Sequence, residues 1–126
     1  MHENDLSGSV IGAAIEVHQE LGGPGLLESV YEEALCHELS IREFNVQRQV
    51  PVPITYKGQP LKTPLFLDIL VNGQLIIEVK ATEKYNTIYE SQLLTYLRLT
   101  GLKLGLVINF GERRLVDGVH RVVNNL

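Results

Sequence analysis

The chain has a single cysteine, Cys36, so no internal disulfide framework can staple it, and a reducing cytoplasm is the expected setting. No apolar run approaches the roughly 20 residues that a membrane-spanning helix needs. No basic segment leads into an apolar stretch, so no secretory signal is expected. His2, His18, His37 and His120 show no metal-ligand spacing, and His18 and His37 read as surface or packing residues. Cys36 sits in a helical pattern with no histidine ladder beside it and reads as buried filler. There is no internal repeat, linker or low-complexity segment, so one domain over residues 1–126 is expected.

Positive charge is also scarce. The net charge of −4 argues against a general nucleic-acid coat, but its distribution is uneven. Residues 1–43 hold nine acids and one base, Arg42, whereas residues 44–126 hold ten Lys and Arg against six acids. The C-terminal two-thirds is therefore basic enough to face a polyanion.

Apolar spacing predicts a helix from Ser7 to Leu21, with Val10, Ala14, Val17 and Leu21 on one stripe, stopped by Gly22-Gly23-Pro24-Gly25. A second helix is predicted from near Leu27 to Ile41, with Val30, Tyr31, Ala34, Leu35 and Leu39 inward and acids crowding its first turns. Val46 to Ile54 alternates as a strand that Pro51 and Pro53 push towards an edge or a bulge, and residues 56–60 form a turn. Thr87-x-x-Glu90 reads as a capping box for a helix ending near Thr100, with Gly101 after it. Leu104–Phe110 is a buried-type strand, and Leu115-Val116 with Val119–Val123 reads as a closing hairpin. The order ααβββαββ makes the chain mixed α/β.

Chemistry concentrates in a hairpin. Asp68 lies within the apolar run 65–71, and Glu78 and Lys80 lie at the end of the run 75–80, with Asn72-Gly73 between the runs. A carboxylate among Leu, Ile, Val and Phe costs several kcal/mol unless it is paired or bound to a cation. Two carboxylates suit a hard divalent cation, and a lysine beside them suits a phosphate or an attacking water. Strand alternation puts Glu78 and Lys80 on one face. A two-residue Asn-Gly turn would pair 68 with 77 and send Asp68 to the opposite face from Glu78. A three-residue loop over 71–73, with Gly73 as a left-handed bulge, would pair 66 with 78 and set Asp68 diagonal to Glu78 on one face. Both geometries are open at this level.

The constellation resembles the PD-(D/E)xK nuclease superfamily, with its αβββαβ core, and most of all its small GxxExxY proteins. The likeness runs through Gly25-x-x-Glu28-x-x-Tyr31, Asp68-Ile-Leu-Val, Ile77-Glu78-Val79-Lys80-Ala81, Gln92-x-x-x-Tyr96 and Leu104 to Gly111, covering roughly residues 7 to 123. It implies a restriction-endonuclease-like fold, a mixed central sheet flanked by helices, with an extra N-terminal helix and C-terminal strand. It implies a metal-dependent nuclease. Asp68, Glu78, the backbone carbonyl of Val79 and Glu28 would hold Mg²⁺ or Mn²⁺. Lys80 would position or activate water, Gln92 would assist, and Tyr96 and Tyr31 would face the substrate. The substrate would be nucleic acid, with DNA expected, and a chain this small would work as a homo-oligomer or with a partner protein. Beside these stand plainer readings. Glu28 could serve as a first-turn dipole acid, Tyr31 and Tyr96 as core residues, Gln92 as a solvated side chain, and Lys80 as the partner in an internal salt bridge. The alternative function is a catalytically silent module of the same fold that binds nucleic acid or protein.

Overall fold

Helices α1 (Glu3–Glu20) and α2 (Glu28–Ile41) open the computed structural model, which describes residues 1–126. Helix α1 begins a turn before Ser7 because His2 caps it, its Nδ1 accepting from the Asn4 N–H at 3.0 Å. Glu3 and Asp5 fill the first turn, where the helix dipole favours acids. Gly22 and Gly23, both at positive φ, turn the chain out of it. In α2 the residues Tyr31, Leu35 and Leu39, spaced by four, are fully buried. Val30, expected inward, lies off that stripe and is exposed.

Five strands form one sheet in the order β1 (Val46–Pro51), β4 (Phe66–Val71), β5 (Leu75–Lys80), β6 (Leu104–Asn109), β7 (Val119–Val123). Only β5 and β6 run parallel, joined by the crossover helix α3 (Ile88–Thr100). β1 lies at an edge of the sheet, as the prolines allow, and ends at Pro51, short of the expected Ile54. Strand β6 is buried at every residue, as a strand covered on both faces must be. Between β1 and β4 the segment expected as a turn carries its own two-stranded ladder, β2 (Thr55–Tyr56) with β3 (Gln59–Pro60).

Two cores cover the sheet. Helices α1 and α2 pack Leu6, Val10, Tyr31 and Leu35 onto Ile69, Ile77, Leu106 and Ile108. Helix α3 packs Leu93, Tyr96 and Leu97 onto Leu67, Ile76 and Val107. Leu93 sits so close to β6 that a Cβ at Gly105 would lie 2.8 Å from its methyls. The αβββαβ core is α2, β1, β4, β5, α3 and β6, with α1 before it and β7 after it.

Two further local expectations fail. Thr87 makes no side-chain cap and is already helical. Asn86 caps instead, its Oδ1 accepting from the Ile88 N–H at 2.9 Å, while Glu90 turns to the Tyr85 hydroxyl. Leu115–Gly118 is a 3₁₀ turn, not a strand. Leu115 meets its need for burial as one plug in the core, and a Cβ at Gly118 would overlap the Asn109 carbonyl. β7 therefore pairs with β6 rather than with a strand at 115–116. No helix is long and apolar enough to cross a membrane.

Candidate active site

The hairpin combines features of both expected turns. Asn72 and Gly73 have φ of +53° and +64°, and the Gln74 N–H closes a tight turn onto the Val71 carbonyl at 3.0 Å. Yet the ladder pairs Val71 with Leu75, so Gln74 is an extra residue, a bulge. That single insertion shifts the parity and brings Asp68 opposite Glu78, on one face, a step beyond the last ladder pair, Ile69 with Ile77. The parity is that of the three-residue loop. The bulge sits at Gln74 rather than Gly73, and the acids face each other directly instead of diagonally.

Here the side chains replace the ladder. The Asp68 N–H donates to Glu78 Oε2, and the Val79 N–H donates to Asp68 Oδ2, each at 2.9 Å. Glu78 is buried and Asp68 half-buried. Burial, then the neighbouring Asp68 charge, pushes the Glu78 carboxyl well above the usual carboxylate range. Burial pushes Asp68 up as well, with the Val79 N–H opposing and the charges of Glu32 and Glu28 adding to the rise.

Lys80 forms no ion pair with either acid. Its Nζ lies over the Tyr89 ring, 4.8 Å from the centroid, a cation–π contact from α3. Tyr89 is braced edge-on by Tyr85, which stacks on His120. The backbone of Lys80 is anchored too. Its carbonyl accepts from the Phe110 N–H at 2.7 Å, and buried Asn109 ties Thr82 from both sides through its side-chain amide.

On the other flank, Tyr31 explains the glycine-rich loop before α2. Its hydroxyl donates to the Gly23 carbonyl at 2.7 Å and accepts from the Leu26 N–H at 3.1 Å, and its ring stacks on Phe110 at 4.7 Å. Gly25, at φ +114°, takes a backbone that side chains rarely allow. Fully buried and with its hydroxyl committed, Tyr31 is a latch; the expected contact with substrate is corrected. The latch sets the start of α2, where Glu28 is exposed and acts on Asp68 through space. Glu28 does not join the two acids in a tight group, since no three His, Cys, Asp or Glu side chains converge as a metal cage. Gln92 is exposed, one turn before Tyr96 on α3. Tyr96 is buried in the α3 core, its hydroxyl pKa raised by burial and then by the charges of Glu78 and Asp68.

Sequence reasoning passed over Glu32, Arg48, Gln49, Tyr89 and Asn109. Glu32, buried one turn after Glu28, pairs with Arg48 at 2.6 Å and accepts from Gln49. The one available signal was Glu32 itself, an acid one residue from a buried tyrosine. Cys36 is half-buried filler, its thiol pushed by burial up to about 11, away from the thiolate form.

The donor set suits a hard divalent cation. Each carboxylate has one oxygen fastened by a backbone N–H, and Glu78 Oε1 has no partner within the protein. No side-chain polar atom is buried without a partner, so that oxygen reaches solvent. Two acids held together without a paired base leave negative charge for a cation to balance.

Neither a curated protein nor a solved structure matches the chain. A family profile described as the PD-(D/E)XK nuclease superfamily matches residues 4–122, nearly the whole length, so the chain belongs to the PD-(D/E)XK nuclease superfamily.

Proposed function

We propose that the protein is a Mg²⁺- or Mn²⁺-dependent nuclease of the GxxExxY group that hydrolyses DNA phosphodiesters. The reading rests on the clasped pair Asp68 and Glu78, with Lys80 beside them and unpaired to either. Nucleases of this superfamily generally use divalent metal ions and act on nucleic acid. Asp68, Glu78 and the Val79 carbonyl would hold the ion, with Glu28, set apart from the two acids, reaching it through water. When bound, the ion neutralises phosphate charge and makes a bound water easier to deprotonate.

The residues divide the remaining work. Backbone N–H groups fasten one oxygen of each carboxylate, which orients both groups and leaves Glu78 Oε1 without a protein partner. Lys80, with its charge uncommitted to either acid, positions the attacking water or balances charge developing on the phosphate. The water oxygen bonds to phosphorus as the P–O3′ bond breaks, leaving a 5′-phosphate. Tyr96 packs in the α3 core and feels the charge of both acids, and Gln92, one turn away and exposed, would meet the strand.

The net charge of −4 favours a second reading, a binding module without turnover. Linear and circular, single- and double-stranded DNA and RNA incubated with Mn²⁺ separate the two. Cleavage by the wild type, lost in Asp68→Asn and with chelator, supports the nuclease. Gel retardation without cleavage supports the module. Neither result would point to a missing partner protein or a second copy of the chain.

A further inference from the structure

Gln49 is the one strand residue on β1 with a left-handed backbone, at φ +53°. Non-glycine residues rarely sit there, and those that do are held by their surroundings. The β1–β4 register is continuous on both sides, Arg48 with Ile69 and Val50 with Leu67, yet the pair between them is missing, and Gln49 stands opposite Asp68. The strands turn over at this point. Ile69 packs into the α1–α2 core, whereas Leu67 and Val50 pack into the α3 core. The twist sends the Gln49 amide between two acids. Its Nε2 donates to Glu32 Oε1 and Oε2 at 3.1 and 3.2 Å and lies 3.4 Å from Asp68 Oδ1. Both neighbours are acceptors, so the nitrogen rather than the amide oxygen must face them.

We propose that Gln49 is a positioning residue for Asp68, holding the one oxygen of that carboxylate that the backbone leaves loose. Asp68 Oδ2 is fastened by the Val79 N–H, and Gln49 steadies Oδ1. A neutral donor is the suitable choice. An arginine or lysine in its place would cancel the negative charge that a cation needs, whereas an amide orients the carboxylate and leaves its charge intact. The neighbouring Arg48 supplies the cation that buried Glu32 requires, at 2.6 Å. Adjacent residues of one edge strand thus divide the labour: Arg48 neutralises Glu32, and Gln49 orients Asp68.

The proposal rests on the reading of Asp68 as a metal ligand, and the experiment keeps the two apart. Mn²⁺ binding to the full chain is measured by calorimetry for the wild type, Gln49→Met and Gln49→Gly, alongside thermal unfolding without metal. Met keeps the stem and removes both donors; Gly removes them while accepting the left-handed backbone. Well below the unfolding temperature, the folded variants should bind Mn²⁺ roughly 10–100-fold more weakly than the wild type, the usual effect of losing a ligand's outer partner. A purely structural role would lower the unfolding temperature and leave that affinity unchanged. Wild-type affinity in either folded variant overturns the proposal, as does failure of both variants to fold. Absence of Mn²⁺ binding by the wild type overturns the metal reading, and the proposal with it.

Discussion

Asp68 and Glu78 are clasped crosswise, each carboxylate accepting a backbone N–H from the other's strand at 2.9 Å. Where β4 and β5 part, two acids take over the work of ladder hydrogen bonds. The arrangement keeps both strands in register while crowding two like charges into a poorly solvated place, a tension that a cation would relieve.

Removing one charge without removing the clasp should therefore stabilise the metal-free protein. Glu78→Gln retains an oxygen that can accept from the Asp68 N–H. Scanning calorimetry at neutral pH with chelator should show its unfolding temperature raised by roughly 2–8 °C, the shift expected for about 1 kcal/mol in a domain of this size. A fall of that size would show that the charge is needed to hold the strands.

The pH dependence follows with a definite sign. Glu78 and Asp68 both have native pKa values raised above those of the unfolded chain. Above an ordinary carboxylate pKa of ~4, the folded protein retains protons that the unfolded chain has lost. Metal-free stability should thus decline as pH rises from ~4 through the raised native values, then level off. Urea unfolding across that range should show the decline, and Glu78→Gln should flatten much of it. Mn²⁺ uptake should release protons, read as a buffer-dependent calorimetric heat.

Features set by neighbours in the chain were legible without coordinates: the Asn72-Gly73 turn, the left-handed Gly101 after α3, the edge position that Pro51 allows for β1. The acids and Lys80 were legible because charge within an apolar strand needs a reason. What failed depended on distance or on one-residue detail. The parity of the hairpin hung on a bulge at Gln74 that any polar residue could supply. Asn86 outcompeted Thr87 as a cap by a single position. Glu32 with Arg48 and Gln49 joins a helix to an edge strand 16 and 17 residues away, and no local pattern announces such a pairing. Tyr31 had two readings at helical spacing, and only the path of the Gly23–Leu26 loop decides between them.

The Tyr31 latch is testable on its own. Tyr31→Phe keeps the stack on Phe110 and removes both loop hydrogen bonds. Urea unfolding should show a loss of about 1–3 kcal/mol, since the Leu26 N–H and the Gly23 carbonyl each lose their partner. The Leu26 amide should exchange with solvent far faster than in the wild type. Unchanged exchange at Leu26 would mean that the loop is held by something other than Tyr31.

Lys80 separates chemistry from metal binding. Its ammonium rests on Tyr89 and pairs with neither acid, so it adds little to the grip on a cation. Lys80→Ala should bind Mn²⁺ at least as tightly as the wild type, because a nearby positive charge has been removed. Cleavage should fall by roughly 10²–10⁴-fold, the range for a positioned group acting on water or phosphate. Substrate retardation on a gel should fall much less. The placement has its own signature: in the wild type, the Lys80 Hε protons should be shifted upfield in the NMR spectrum by the Tyr89 ring, and Tyr89→Leu should abolish the shift. A Lys80→Ala protein that loses metal affinity and cleavage together would instead place the lysine in the support of the acids.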